Sequence, residues 1–372
     1  MNPIRATVLF LAVCLMSVVP TSAQTVQSIP FDSPRWDIEG DDHSLVLYKG
    51  KEALRLQGAA AWLEDVAFET GTFEFDMAFP AERGFQGVRW QVQDRANFEE
   101  FYFRSHLSDM PDANQYNPVL GGYAAWQLYF GPEYSVPLHY DGEWKHVRIV
   151  VDEAGGEIYV DSVEPVLRFV KKGDFDAGGF GVYASRLNVA YFANFAFRPG
   201  TETLRGEPVA FAETEPGTVT RWDTAGPWGE AWEGAGAYEF SSEGLDWVSL
   251  EAEEKGITNL ARTITGAERT HAAARVTIDA EKAGWKSVLF GYSDRVTVYL
   301  NGRQLYRGDN TWTSRDYRYL GTIGLFDEIP LWLEEGENEL VFVVTEAFGG
   351  FGVMARFPDT DGLGFADGVV HR

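Results

Sequence analysis

The sequence predicts an all-β protein built from two β-sandwich (jelly-roll) domains in tandem, and three observations predict it. Short segments alternate apolar and polar residues with period two, and clusters of Gly, Pro, Asp and Asn punctuate them at regular intervals. No long stretch carries helical periodicity. Twelve Trp, 16 Tyr and 26 Phe among 372 residues suit pleated surfaces, where aromatic rings pack well. A chain of this length is long for one hydrophobic core, so two domains are the expectation.

The chain opens with MNPIRATVLFLAVCLMSVVPTSAQ. Arg5 precedes an apolar run, Pro20 breaks it, and Thr21-Ser22-Ala23 supplies small residues for cleavage. This is the tripartite design of a secretory signal over residues 1–23. The run is short for a membrane span. Cys14 is the one cysteine, so cleavage leaves no thiol for a disulfide, a thiolate metal site or a nucleophile. Loss of Arg5 takes the formal net charge from −25 to −26. Such a polyanion does not attract nucleic acid or anionic membrane by its overall field. The expectation is a secreted or periplasmic protein with no membrane insertion after signal cleavage and no nucleic-acid partner.

Residues 24–199 form the first expected sandwich, with strand-like runs such as TFEFDMAF, GVRWQVQD, EEFYFRSH, AAWQLYFG and WKHVRIVVD. Residues 200–220 are rich in Pro, Gly, Thr and Glu and read as a linker. Residues 221–358 form the second expected sandwich. Its RVTVYLNGRQLYRG contains Asn301-Gly302, a hairpin signal because both positions tolerate positive φ. The glycine-bearing residues 359–372 read as a flexible tail.

Splitting each run by parity gives two faces. Val88, Trp90 and Val92 oppose Arg89, Gln91 and Gln93. Phe101 and Phe103 oppose Tyr102, Arg104 and His106. Trp126, Leu128 and Phe130 oppose Gln127 and Tyr129. The first set of each pair is a core, and the second is the informative one. It gathers planar side chains with fixed donors and acceptors, with almost no Lys and no acid. Amide and guanidinium forks match paired sugar hydroxyls, and aromatic planes match the C–H face of a pyranose. The long polar segment 107–123 can close the trough through Asp112, Gln115, Tyr116 and Asn117. The expected ligand-binding set is therefore Arg89, Gln91, Gln93, Tyr102, Arg104, His106, Gln115, Tyr116, Gln127 and Tyr129. The competing reading of the same residues is a hydrogen-bonded network beneath the loop.

The succession GVRWQVQDRANFEEFYFRSH, PDANQY, AAWQLYFGP, GEWKHVRIVVD and GEIYVDS resembles a branch of the concanavalin A-like lectin/glucanase superfamily. It is also similar to laminin-G-like and 3-keto-disaccharide hydrolase domains, over roughly residues 27–199. The resemblance implies a jelly roll whose concave sheet binds an oligo- or polysaccharide. VTVYLNGRQLYRG and LWLEEGENELVFVVTEAFGGFG resemble galactose-binding-like jelly rolls. Polar residues of that half are Tyr292, Asp294, Arg295, Trp312, Arg315, Asp316 and Glu346, with paired Asp and Arg reading as a structural ion network.

No Glu-x-Asp-x-x-Glu strand is present, although Glu74 and Asp76 share a face; this departs from the family 16 glucanases. No nucleophile elbow, zinc-binding histidine pair or phosphate loop occurs. No residue is assigned a catalytic role and no cofactor is required; a structural calcium ion is open, with Asp32, Asp76 and Asp152 as donors. Three functional readings stand: saccharide binding without turnover, a polysaccharide-active enzyme (keto-glycoside hydrolase, glycosidase or lyase, the last using His106, Tyr102 and Arg104), and a structural or protein-interaction module.

Overall fold

A computed structural model describes residues 25–40, 42–229, 237–264, 271–316, 321–366 and 368–371. The expected leader, Cys14 and residues 317–320 lie outside the described residues. The protein is all-β and contains two sandwiches, with no α-helix among the described residues.

In the first sandwich an eight-stranded sheet faces a seven-stranded one. The eight-stranded sheet centres on the antiparallel strands Lys145–Val151, Gly71–Ala78 and Ala190–Pro199. The seven-stranded sheet runs Tyr123–Ala124, Asn114–Leu120, Asn97–Arg104, Phe85–Asp94, Gly178–Ala184, Ala59–Phe68 and Asp37–Glu39. Alternation drives the apolar parity of both sheets inward, where Phe73, Phe75, Val88, Trp90, Phe101 and Phe103 are fully buried. In the second sandwich a seven-stranded sheet built around His271–Ala280 and Gly336–Thr345 covers a four-stranded one. Asn301 and Gly302 both take positive φ and close the hairpin of Asp294–Leu300 with Arg303–Asn310.

Two segments differ from their sequence expectations. Residues 125–130 are a turn, closed by Leu128 N and Tyr129 N donating to the Ala125 carbonyl at 3.0 and 3.1 Å. The turn carries the chain from the first sandwich into contact with the second. The tail is not loose: Leu363–Gly364 pairs with His271–Ala280, and Phe365, Val369 and Val370 pack on the second core. Those apolar side chains, interspersed with the glycines, supply the burial that holds it.

The two sandwiches share a packed interface. Ile257, Ile323 and Met354 of the second half join the core cluster of the first, and Tyr123 of the first joins that of the second. A buried polar knot lies beside them. Tyr129 donates to Glu253 Oε1 at 2.7 Å, and Arg262 Nε donates to the same oxygen at 2.7 Å. Arg262 also donates to the Lys172 carbonyl at 2.6 Å, while the buried Lys172 ammonium pairs with Glu254 and lies 3.6 Å from Glu253.

A second buried carboxyl continues the knot inward. Glu99 takes the core parity of its strand and is fully buried. It accepts from Tyr116 Oη and from Gly173 N, both at 2.8 Å. Burial pushes its pKa up to about 7, against 4.5 ordinarily, and the donors only partly oppose this.

Two measurements follow. The folded state holds the Glu99 proton more tightly than the unfolded chain, so its stabilisation is complete below pH 4.5 and is lost as pH rises through about 7. Chemical denaturation should show stability falling between these limits by roughly 1–3 kcal/mol from this group. Glu99→Gln should flatten that slope, and an unchanged slope would assign the pH dependence to other groups. Glu253→Ala leaves Arg262 without its carboxylate, while Lys172 keeps Glu254, and should cost about 1–3 kcal/mol. Calorimetry should then resolve the sandwiches as separate transitions; one undisturbed transition would show that the knot does not couple them.

Candidate functional site

A cleft of about 1350 Å³ lies between the outer face of the seven-stranded sheet and loops of the second sandwich. Its floor comes from parity. On Asn97–Arg104 the residues opposite Phe101 and Phe103 are Glu100, Tyr102 and Arg104, all of which line the cleft. Asn117 stands opposite Glu100 on the adjacent strand, and Gln115 opposite Tyr102. Gly87 is paired with Tyr102, and a Cβ there would lie 2.4 Å from the Phe101 carbonyl. The second sandwich supplies the facing wall through Trp312 and the segment Glu346–Gly349. Trp126, on the turn, meets Phe348 edge to face at 5.7 Å.

The floor is fixed by hydrogen bonds. Arg104 Nη1 donates to the Asp112 and Asn114 carbonyls at 2.8 and 3.4 Å. Its Nη2 donates to Tyr102 Oη at 2.5 Å and to Gln115 Oε1. Gln115 Nε2 donates onward to the Trp126 carbonyl at 2.8 Å, tying the floor to the turn. Asn117 differs: it is fully buried, lines the cleft, and neither end of its amide has a partner.

Burial sets the ionisation of the wall. His106 is held below its ordinary pKa by desolvation first, then by Arg83 and Arg104, so its imidazole is neutral at pH 7. Its Nδ1 has no partner. Burial pushes the Glu346 carboxyl well up, and the neighbouring Asp294 carboxylate reinforces this. Asp294 is itself raised by burial, against the backbone N–H groups of Phe348 (2.7 Å) and Ala347 that it accepts. Glu346 Oε2 and Asp294 Oδ1 are buried without a further hydrogen-bond partner.

Of the ten expected ligand-binding residues, Tyr102, Arg104 and His106 line the cleft, and Gln115 braces Arg104 from below. Arg89 shares their face but lies flat among Trp62, Phe98 and Tyr183, with Nε on Glu100 at 2.9 Å. Five placements correct the expectation. Gln91 takes φ 49° in a β-bulge, is fully buried, and donates to the Glu69 carbonyl at 2.7 Å. Gln93 bonds to the Gln91 and Asp176 carbonyls, outside the cleft. The bulge inverts parity, so Val92 leaves the core and packs with Trp62, Phe98 and Val119 on the outer face. Tyr116 faces the core, stacked on Phe169 at 4.1 Å. Gln127 and Tyr129 are buried between the sandwiches: Gln127 N donates to Gly349 O, and Gly321 makes room for its amide, since a Cβ there would lie 2.2 Å from Nε2.

The sequence reading also missed residues. Glu100 has the parity of Tyr102 and was open to discovery, and the face is not free of acid. Trp126 was assigned to a core by a parity that a turn does not obey. Arg83, Tyr183 and Phe348 reach the cleft from segments whose pairing only the fold reveals. In the second half, Trp312 and Glu346 line the cleft, while Arg315 pairs with Asp327 at 2.5 Å and Arg295 with Asp309 at 3.2 Å. Tyr292 receives Arg315 at 3.0 Å, and Asp316 lies outside the cleft lining.

Two of the three expected calcium donors are otherwise engaged. Asp76 accepts from Lys51, Asn194 and His146, and Asp152 accepts the Ala154 and Gly155 N–H groups. Asp32 is exposed. Among the described residues no three His, Cys, Asp or Glu side chains are grouped to hold a metal.

The molecule is thus defined as a tandem β-sandwich protein with an aromatic and polar cleft between its halves. No family model and no curated protein matches the chain. Solved structures match part of it. A carbohydrate-binding module, CBM66 from Bacillus subtilis, is 16% identical, with 44% of this chain and 95% of that chain covered and a TM-score of 0.34. A Bacillus licheniformis β-glucanase is 11% identical over 49% of this chain and all of its own, with a TM-score of 0.34. Domain 4 of AbnA, an extracellular arabinanase from Geobacillus stearothermophilus solved with arabinotriose, is 13% identical over 48% of this chain and 83% of its own, with a TM-score of 0.30. No part of the site's chemistry is taken from these likenesses.

Proposed function

We propose that this chain is an exported, secreted or periplasmic saccharide-binding protein that holds an oligo- or polysaccharide in the cleft between its sandwiches. The observation that carries the reading is the Asn117 amide, buried in the cleft with a donor end and an acceptor end both unpaired. Leaving such a group unpaired costs about 1–3 kcal/mol, and a ligand hydroxyl pair restores both bonds. Around it stand the two surfaces a pyranose needs: indole and phenol faces for its C–H groups, and fixed planar polar groups for its hydroxyls. The cleft volume of about 1350 Å³ admits several sugar units rather than one.

Catalysis is the second reading, favoured by one observation. The Glu346 carboxyl, whose pKa burial beside Asp294 raises, lines the same cleft as the His106 imidazole, whose pKa burial lowers. A neutral acid and a neutral base in one cleft are the equipment of proton-transfer chemistry on a sugar. Tyr102, whose hydroxyl burial pushes far above its usual range, is a donor in this setting and not a base.

A glycan array followed by titration calorimetry on the whole chain tests the first reading. Trp312 is 43% exposed, so Trp312→Ala should leave the melting temperature unchanged. It should weaken any bound glycan by about five- to tenfold, the loss expected for an aromatic contact in a binding pocket. Asn117→Ala should weaken it further. A chain that binds no glycan, or binds equally with both residues replaced, returns the cleft to a structural role. Reducing-end and unsaturated-product assays on the bound glycans decide turnover, and binding with no product removes the catalytic reading.

A further inference from the structure

The cleft of this acidic protein holds two arginines. The chain carries a formal net charge of −25, yet two guanidiniums in the cleft lack a carboxylate partner. Arg104 is only 9% exposed and bonds solely to neutral acceptors: two backbone carbonyls, a phenol and an amide. Arg83 lies over the Trp312 ring at 5.7 Å and makes no ion pair among the described residues. Both act on His106, lowering its pKa, which places both positive charges toward the same imidazole.

None of the lining carboxyls pairs directly with either guanidinium among the described residues. Glu100 is committed to Arg89, outside the cleft lining, at 2.9 Å. Glu346 is buried, and burial together with the neighbouring Asp294 raises its pKa well above the ordinary carboxyl range. Asp112 gives Arg104 its backbone carbonyl; its carboxylate opposes the two arginines at His106 but makes no ion pair with either among the described residues. A largely buried cation with no counter-ion is expensive unless something supplies the opposite charge. Self-repulsion by the rest of the protein is no barrier to an anion here, because salt screens it beyond roughly 8–10 Å while the cleft charges act at contact.

We infer that the ligand of this cleft is an acidic saccharide, carrying a uronate carboxylate or a sulfate ester that the Arg83 and Arg104 guanidiniums receive. The inference rests on the cleft being a saccharide site and adds the ligand class. Arg83 offers its whole fork to the anion. Arg104, with both Nη atoms already engaged, contributes Nε–H and its charge from a fixed position. Trp312 beneath Arg83 holds that guanidinium toward the cleft.

The test is calorimetry on the whole chain with paired probes. Tri- and tetrasaccharides of galacturonate, glucuronate and mannuronate are compared with their carboxyl-reduced counterparts, and a sulfated galactan oligosaccharide with its desulfated form. Acidic members should bind about tenfold or more tightly than their neutral twins, the gain expected of a charge-assisted bond, and should weaken as salt is raised. Arg83 is exposed, so Arg83→Ala is expected to fold normally. It should cost about tenfold more toward the acidic probe than toward its neutral twin, and Arg83→Lys should recover part of the difference. Which acidic pair shows the gain separates carboxylate from sulfate. Equal affinity within every pair, with no effect of Arg83→Ala, overturns the inference and leaves the cleft a neutral-sugar site. Absence of binding by every probe overturns both.

Discussion

The geometry of the cleft depends on the polar knot of Tyr129, Lys172, Glu253 and Arg262. The outer face of the seven-stranded sheet is, by itself, one side of a layer. It becomes a cleft because Trp312 and the Glu346–Gly349 segment stand over it. Their position is set where the sandwiches meet. Apolar contact through Ile257, Ile323 and Met354 supplies adhesion, which is non-directional and tolerates sliding. The knot does not tolerate it. Glu253 Oε1 receives a phenol from one sandwich and a guanidinium from its own, each at 2.7 Å, so its position is set within its own half and a small rotation between the halves breaks the bond to the phenol. Buried ion pairs add little net stability against an apolar isostere, because desolvation offsets their attraction. Here the pairs fix orientation, a result that packing alone does not deliver.

The same constraint reaches the floor through the 125–130 turn. Gln115 on the floor donates to backbone carbonyls of Trp126 and Tyr129, and Tyr129 belongs to the knot. Arg104, Gln115, the turn and Glu253 are therefore one connected assembly of hydrogen bonds. The side chains that present themselves to a ligand are held by the bonds that hold the domains.

How far this was legible in the sequence depends on how far period two holds. It holds along Asn97–Arg104, and there Tyr102 and Arg104 are correctly separated from Phe101 and Phe103. It holds on Phe85–Asp94 up to Trp90 and fails at Gln91, where a positive φ inserts a bulge. Nothing in the letters GVRWQVQD announces it, because glutamine is not a residue that favours that conformation. Tyr116 was misplaced for a different reason. Segment 107–123 was read as one covering loop, whereas Asn114–Leu120 is a strand with its own parity, and that parity turns Tyr116 inward. Trp126 shows the third failure, since alternation in a turn carries no information about faces. The two-sandwich architecture survives these slips because it rests on many strands, while a site rests on a few side chains.

The network reading and the binding reading of the floor are not rivals, and the contrast between Arg104 and Asn117 shows why. Arg104 has four acceptors arranged around its two Nη atoms, so its plane is set before any ligand arrives. Recognition by a group already immobilised costs less entropy than recognition by a free side chain. Asn117 has no partner, although other buried amides nearby, such as Asn114, find theirs: Asn114 Nδ2 reaches the Val136 carbonyl at 2.6 Å. A fold able to satisfy Asn114, and to give Gln115 four partners, is not short of acceptors. The unpaired amide sits where the sheet opens into the cleft, and an apolar residue there would remove the penalty at no structural cost. The amide stands beside a scaffold whose own bonds hold it rigid, which is the arrangement the proposed binding reading requires.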